Sequence, residues 1–176
     1  ELASLCSPET QQPRVNDLIS SLYTFLFRTV ISHEFPTRIE QVKTRMAEYH
    51  PNEGFYTGPI LDKETRAISV NLARAGTLPS HLLYSALNHI LDPKHVRQDH
   101  ISIARKTNES LAVTGSEVSG HKVGGSCQDA ILMFPDPMGA TGSTIVEAID
   151  LYKPFGKPKK IIALHCIVTP EYLKKV

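Results

Sequence analysis

The chain has 176 residues and a formal net charge of +1, with 41% hydrophobic and 21% charged residues. That is ordinary globular composition, and the length is enough to bury a core in a single domain. The near-neutral balance removes any bulk electrostatic case for nucleic acid or an anionic membrane as partner, so an anion site has to be local, and no apolar run has the length of a membrane span.

Residues 1–15, with Pro8 and Pro13, read as an N-terminal arm, and 16–176 as one domain. Asn16 is placed to cap a helix from Asp17 to about Ser32, with Leu18, Leu22, Phe25 and Leu26 on its apolar face. Phe35-Pro36 stops it, because the residue before a proline avoids the helical region. Residues 37–66 stay open: Arg38 to Met46 suits a strand or a short helix, and Asn52-Glu53-Gly54 and Thr57-Gly58-Pro59 mark turns. Ala67 to Leu72 reads as a strand. Pro79-Ser80 starts a helix that runs to about Leu91, and Asp92-Pro93-Lys94 is a turn. His100 to Ala104 is another short strand. Residues 106–128 hold Gly115, Gly120, Gly124 and Gly125 among polar residues and predict a flexible loop or hairpin. Ala130 to Phe134 is a buried strand, Ile145 to Tyr152 a helix closed by Gly156, and Lys160 to Val168 one more buried strand with His165 as a satisfied core histidine. Strands alternating with helices predict an α/β fold, a mainly parallel sheet flanked by helices. Cys6, Cys127 and Cys166 are odd in number and far apart, which fits a reducing, cytoplasmic setting better than a disulfide framework. No signal peptide is visible. The scattered histidines give no metal-ligand spacing.

The richest run is Ile131 to Thr144. Four apolar residues are followed by one carboxylate, Asp136, then by Gly139, Ala140, Thr141, Gly142, Ser143 and Thr144, and then by a helix. This order predicts a phosphate cradle, in which backbone N–H groups and the positive end of the helix dipole hold the anion. The hydroxyls of Thr141, Ser143 and Thr144 add donors, and Asp136 stands where a carboxylate can accept from sugar hydroxyls. The run has neither the Gly-Lys-Ser/Thr of an ATPase loop nor a Gly-x-Gly-x-x-Gly dinucleotide turn. Arg74-Ala75-Gly76 follows the strand at 67–72. A guanidinium fork and a glycine at a strand's C-terminal edge suit a diphosphate.

Asp136-Pro137-Met138-Gly139-Ala140-Thr141-Gly142-Ser143-Thr144 resembles the substrate motif Asp-Pro-Met-Leu-Ala-Thr-Gly-Gly-Ser/Thr of uracil phosphoribosyltransferases, departing from it at Gly139 and Ser143. A single Asp followed by Pro is typical of that branch; most type I phosphoribosyltransferases carry two adjacent acids here. Val70 to Gly76 resembles the family's Val-Pro-Ile-Leu-Arg-Ala-Gly diphosphate loop, with Asn71 and Ala73 as departures. His100 to Glu109 is similar to Gly-His-Ile-Gly-Leu-Tyr-Arg-Asp-Glu-Glu-Thr and puts Arg105 on the family's phosphate-contacting arginine. Ile167 to Glu171 echoes a strand followed by Ala-Pro-Glu-Gly, and no Tyr-Ile-Val-Pro-Gly-like base-holding segment is seen in the chain.

The resemblance implies a type I phosphoribosyltransferase fold with a flexible glycine-rich hairpin loop. It implies transfer of phosphoribosyl from 5-phosphoribosyl 1-diphosphate to uracil, giving uridine monophosphate and diphosphate in pyrimidine salvage. Asp136 and Arg105 are then the catalytic residues. Arg74, Ala75, Gly76 and Arg105 hold the diphosphate, and Asp136, Pro137, Met138, Gly139, Ala140, Thr141, Gly142, Ser143 and Thr144 hold the phosphoribosyl part. Magnesium arrives on the diphosphate, and a homodimer or higher homo-oligomer is expected. The competing reading is a phosphoribosyltransferase-like protein that binds phosphoribosyl diphosphate or nucleotides without turnover. A purine or a nicotinate-like acid as acceptor is a weaker third reading, because the single Asp before Pro argues against it.

Overall fold

The first described element of the computed structural model is a short helix, α1 (Leu2–Leu5), followed by the long α2 (Arg14–Glu34). Residues 1–107 and 113–176 are described, except for the side chains of 104–107 and 113–117. Helix α2 begins three residues before the expected Asp17, because Pro13 takes the N-cap position, where its missing N–H costs nothing. The open region resolves into an antiparallel hairpin, β1 (Thr37–Lys43) and β2 (Phe55–Leu61). Thr57-Gly58-Pro59 is therefore no turn. In a two-stranded ribbon every residue lies on an edge, so Pro59 can sit opposite Ile39 without breaking a ladder.

Next come β3 (Ala67–Ala73), α3 (Thr77–Ile90), β4 (Val96–Thr107) and β5 (Val113–Lys122). Strand β4 starts four residues earlier than His100 and pairs antiparallel with β5. Residues 108–112, between them, fall in the predicted glycine-rich loop and lie outside the described residues. The chain continues through β6 (Ile131–Pro135), β7 (Met138–Gly139), α4 (Ser143–Tyr152), β8 (Lys160–Leu164), β9 (Ile167–Val168) and α5 (Pro170–Lys175). The single strand expected over 160–168 breaks at His165-Cys166, and its end pairs with β7 in a separate two-stranded sheet.

The main sheet has the order β5-β4-β3-β6-β8; β4, β3, β6 and β8 are parallel. Both faces are covered. Tyr23 and Phe27 of α2 and Leu83 and Leu87 of α3 pack against Ala67, Ile131 and Met133. Ile145, Ala148 and Tyr152 of α4 pack on the other face, against Ile68, Val70, Leu72, Leu132 and Phe134. Burial on both faces explains why β3 and β6 read as nearly unbroken apolar runs. Among the described residues no helix is long and apolar enough to cross a membrane.

From β3 the chain crosses to β4 on one side, whereas β6 lies on the other side and leads on to β8. The crevice outside the C-terminal ends of β3 and β6 is thus a switch point, where open α/β sheets bind ligands. Two constraints fix it. Asp99 of β4 is 1% exposed and accepts hydrogen bonds from Arg97 Nε (3.0 Å), the Gly124 amide (2.9 Å) and the Tyr152 hydroxyl (2.7 Å). Burial, and then the Asp99 charge, push the Tyr152 pKa up, so the hydroxyl stays a donor and locks α4 to the sheet. The second constraint is Gly76. A Cβ there would lie 2.7 Å from the Leu72 carbonyl oxygen and 2.9 Å from that of Pro135.

Both are testable by denaturant unfolding. Asp99→Ala, which strands Arg97 and Tyr152, is expected to cost about 3–5 kcal/mol. Gly76→Ala is expected to cost about 1–3 kcal/mol as overpacking. A cost below about 0.5 kcal/mol for either, the range of unremarkable surface substitutions, counts against its assigned role.

Candidate active site

Two loops leave the sheet at the switch point. The first is Arg74-Ala75-Gly76, after β3. Its Ala73–Arg74 peptide bond is cis. Gly76 is the N-cap of α3, and its amide donates to the Leu72 carbonyl at 3.0 Å. The close approach expected of this glycine is made to the protein's own carbonyls. Arg74 is exposed, and its guanidinium has no partner among the described residues. Asn71, which stands where the family pattern has proline, ties the loop down: its Oδ1 accepts from Thr77 Oγ1 (3.2 Å) and its Nδ2 donates to His100 Nδ1 (3.1 Å). No sequence signal singled out that pair.

The second loop follows β6. The Asp136 amide donates to the Leu164 carbonyl (3.0 Å), and its Oδ1 accepts from the Met138 amide (3.3 Å). The carboxyl is half-buried. Burial raises its pKa, with partial relief from the Met138 N–H and from His165. The Pro137 carbonyl accepts from the amides of Cys166 (3.1 Å) and Ile167 (3.2 Å), and Met138-Gly139 pairs with β9. The loop is therefore sewn to the chain beyond β8 along its first half. Ala140 and Thr141 are exposed, Gly142 is buried, and Ser143 and Thr144 are half-buried at the start of α4. Gly142 has φ +74°, a conformation that favours glycine. Gly142, the N-cap of α4, has no side chain to cap it; the Ser143 amide donates to Thr141 Oγ1 (3.4 Å), and among the described residues the Thr144 and Ile145 amides make no side-chain hydrogen bond, which leaves donors for an anion.

Arg74 and Ala75 from the first loop and Pro137 and Met138 from the second line one open groove of about 860 Å³, which α1 and α2 close on the far side. The structure thus brings Arg74 and Ala75 beside Pro137 and Met138, the residues that follow Asp136 in the second segment. The third predicted segment lies on β4, where Arg105 is in register with Ser116; the Arg105 side chain lies outside the described residues. The nearest thing to a metal-ligand cluster among the described residues, Glu64, Asp92 and His95, sits at the opposite edge of the sheet.

His165 is satisfied, as a core histidine would be, but it stands at the site. Its Nδ1 lies 2.6 Å from the Asp136 carbonyl and its Nε2 2.6 Å from the Tyr172 hydroxyl. A carbonyl only accepts, so Nδ1 carries the proton and, in the neutral ring, Nε2 accepts from Tyr172. Helix α5 is thereby tied to the residue that carries the carboxylate. The sequence does hold a signal for this helix: Thr169 caps the Tyr172 amide (3.1 Å), and Pro170 follows at the first helical position.

The whole chain, residues 1–176, matches the family model described as uracil phosphoribosyltransferase. No curated protein sequence matches it. Among solved structures it is similar to the AQ2163 protein from Aquifex aeolicus, at 20% identity and TM-score 0.73 over 99% of this chain and 74% of that one. It is also similar to a hypoxanthine phosphoribosyltransferase from Staphylococcus aureus, at 12% identity and TM-score 0.53 over 89% and 66% of the two chains. A third similarity is to a purine phosphoribosyltransferase from Pyrococcus horikoshii, at 15% identity and TM-score 0.50 over 85% and 74%. At such identities these structures speak for the fold alone. The loop of Asp136 to Thr144, the Arg74 loop across the groove from it and the match along the full chain lead to one assignment: the chain belongs to the uracil phosphoribosyltransferase family.

Proposed function

We propose that this protein transfers the phosphoribosyl group of 5-phosphoribosyl 1-diphosphate to uracil, forming uridine monophosphate and diphosphate. The observation that carries the reading is the groove shared by Arg74 and the Asp136 loop, in a chain of this family. The C1′–O bond to diphosphate breaks, a C1′–N bond to the base forms, and the base loses one proton to the leaving group or to solvent. The work of the protein is positioning and charge stabilisation. Asp136 accepts from the ribose hydroxyls and lies close to the positive charge that develops on the sugar. The first-turn amides of α4, with Thr141, Ser143 and Thr144, take the 5′-phosphate. Arg74 and Arg105 take the diphosphate, whose magnesium enters as part of the substrate.

Uracil as the acceptor is favoured by the single Asp followed by Pro137, which sets this loop apart from the double-acid form. Self-association is favoured by the β1–β2 hairpin, where Ile39 is 72% exposed and Val42, Phe55 and Tyr56 are also open to solvent. A cytoplasmic setting accords with three cysteines that are all free.

Incubation with phosphoribosyl diphosphate, magnesium and either uracil or hypoxanthine is expected to give uridine monophosphate and no inosine monophosphate. Chelation should stop the reaction and added magnesium restore it. Ligand binding without product would favour a regulatory protein instead.

Asp136→Asn is expected to lower turnover by about a hundredfold or more, as the loss of a preorganised charge does. It should also stabilise the fold. A carboxyl pKa raised by burial contributes stability that is complete below its unfolded value, about 3.9, and is lost as pH rises through the folded value. The variant, which never ionises, should melt higher than the parent at neutral pH and converge with it in acid. Melting curves across pH that stay parallel would contradict this.

A further inference from the structure

The run from Asp136 to Thr144 contains one anion and no cation. The phosphate monoester it is read to hold carries about two negative charges at neutral pH. The missing positive charge is present in space, from a part of the chain that no motif marks. Lys175 Nζ, on α5, lies 2.6 Å from Ser143 Oγ, on the first residue of α4. An ammonium group at the positive end of a helix is electrostatically misplaced unless an anion lies between them.

The lysine is held there by α5. The Thr169 amide donates to the Gly139 carbonyl (3.0 Å), and Thr169 Oγ1 donates to the Ala140 carbonyl. Tyr172 is 5% exposed and packs so close that a Cβ on Gly139 would lie 2.7 Å from its ring. Its hydroxyl bonds His165, which bonds the Asp136 carbonyl. Every one of these contacts goes to the cradle loop itself or to a residue bonded to it. Ser143, one of the two departures from the family pattern in this loop, is the residue whose hydroxyl Lys175 meets.

We infer that Lys175 is a phosphate-binding residue of the cradle, delivered across it by α5, and that it binds the 5′-phosphate. This rests on the proposed function. The test is calorimetric titration of the intact protein with ribose 5-phosphate, inorganic diphosphate and phosphoribosyl diphosphate with magnesium. Lys175→Met, Lys175→Arg and Lys174→Met are compared with the parent. Lys175→Met should weaken ribose 5-phosphate by about tenfold or more, the scale of one charge-assisted hydrogen bond. It should leave inorganic diphosphate unchanged, and should raise KM for phosphoribosyl diphosphate with little change in kcat. Lys175→Arg should retain most of the affinity. Lys174→Met, the same charge change one residue away, should bind like the parent. Equal or tighter binding of ribose 5-phosphate by Lys175→Met overturns the inference and leaves the function standing, as does an equal loss with Lys174→Met. A parent protein that binds neither ribose 5-phosphate nor phosphoribosyl diphosphate overturns the function, and the inference with it.

Discussion

Between the carbonyl oxygens of Leu72 and Pro135 there is room for a hydrogen atom and nothing larger, and Gly76 fills it. These two carbonyls belong to the ends of β3 and β6, the strands buried on both faces. The contact therefore joins these two buried strands at the switch point, where the order of strands in the sheet reverses. Helix α3 can start directly at the sheet edge because its N-cap has no side chain. Arg74 and Ala75, one step earlier, are forced outward into the groove that Pro137 and Met138 also line. Rigid strands holding short loops make a site more reproducible than loops alone can.

Charge at the site works against the fold and for the ligand. Asp136 is a carboxyl placed where burial disfavours its ionised form, with one backbone amide and a nearby histidine as partial relief. The first turn of α4 has a glycine at its N-cap and a long 3.4 Å bond from the Ser143 amide to Thr141 Oγ1 as its side-chain partner. Each of these arrangements is unfavourable in the protein by itself; under the proposed function, ribose hydroxyls beside Asp136 and a phosphate at α4 would relieve both. Local rules of stability fail where a molecule is built to bind something else.

Legibility followed physical range. The run from Ile131 to Thr144 could be read because its strand, carboxylate, small-residue loop and helix are adjacent in sequence, and each has a local signature. The Arg74 loop gained meaning from its resemblance; residue types alone would have left it a surface arginine. Thr57-Gly58-Pro59 was misleading because Gly and Pro usually punctuate, whereas a two-stranded ribbon tolerates both. The break after Leu164 is set by pairings over distance: the Asp136 amide takes the Leu164 carbonyl, and the Pro137 carbonyl takes Cys166 and Ile167. No window centred on 160–168 contains those partners. His165 is satisfied, as its sequence context suggests, but its place beside Asp136 depends on partners 29 and 7 residues away.

Gly139 and Tyr172 occupy one volume between them. The family pattern places leucine at the first position and, after Ala-Pro-Glu, glycine at the second; this chain has glycine and tyrosine. With Tyr172 in place, any side chain at 139 collides with its ring; with Tyr172 removed and Gly139 kept, the same space stands hollow. The two positions therefore carry one piece of information, not two. A lineage can exchange them only as a pair, and a relative that kept glycine at the first while losing bulk at the second would have cut the tether between its last helix and the carboxylate loop.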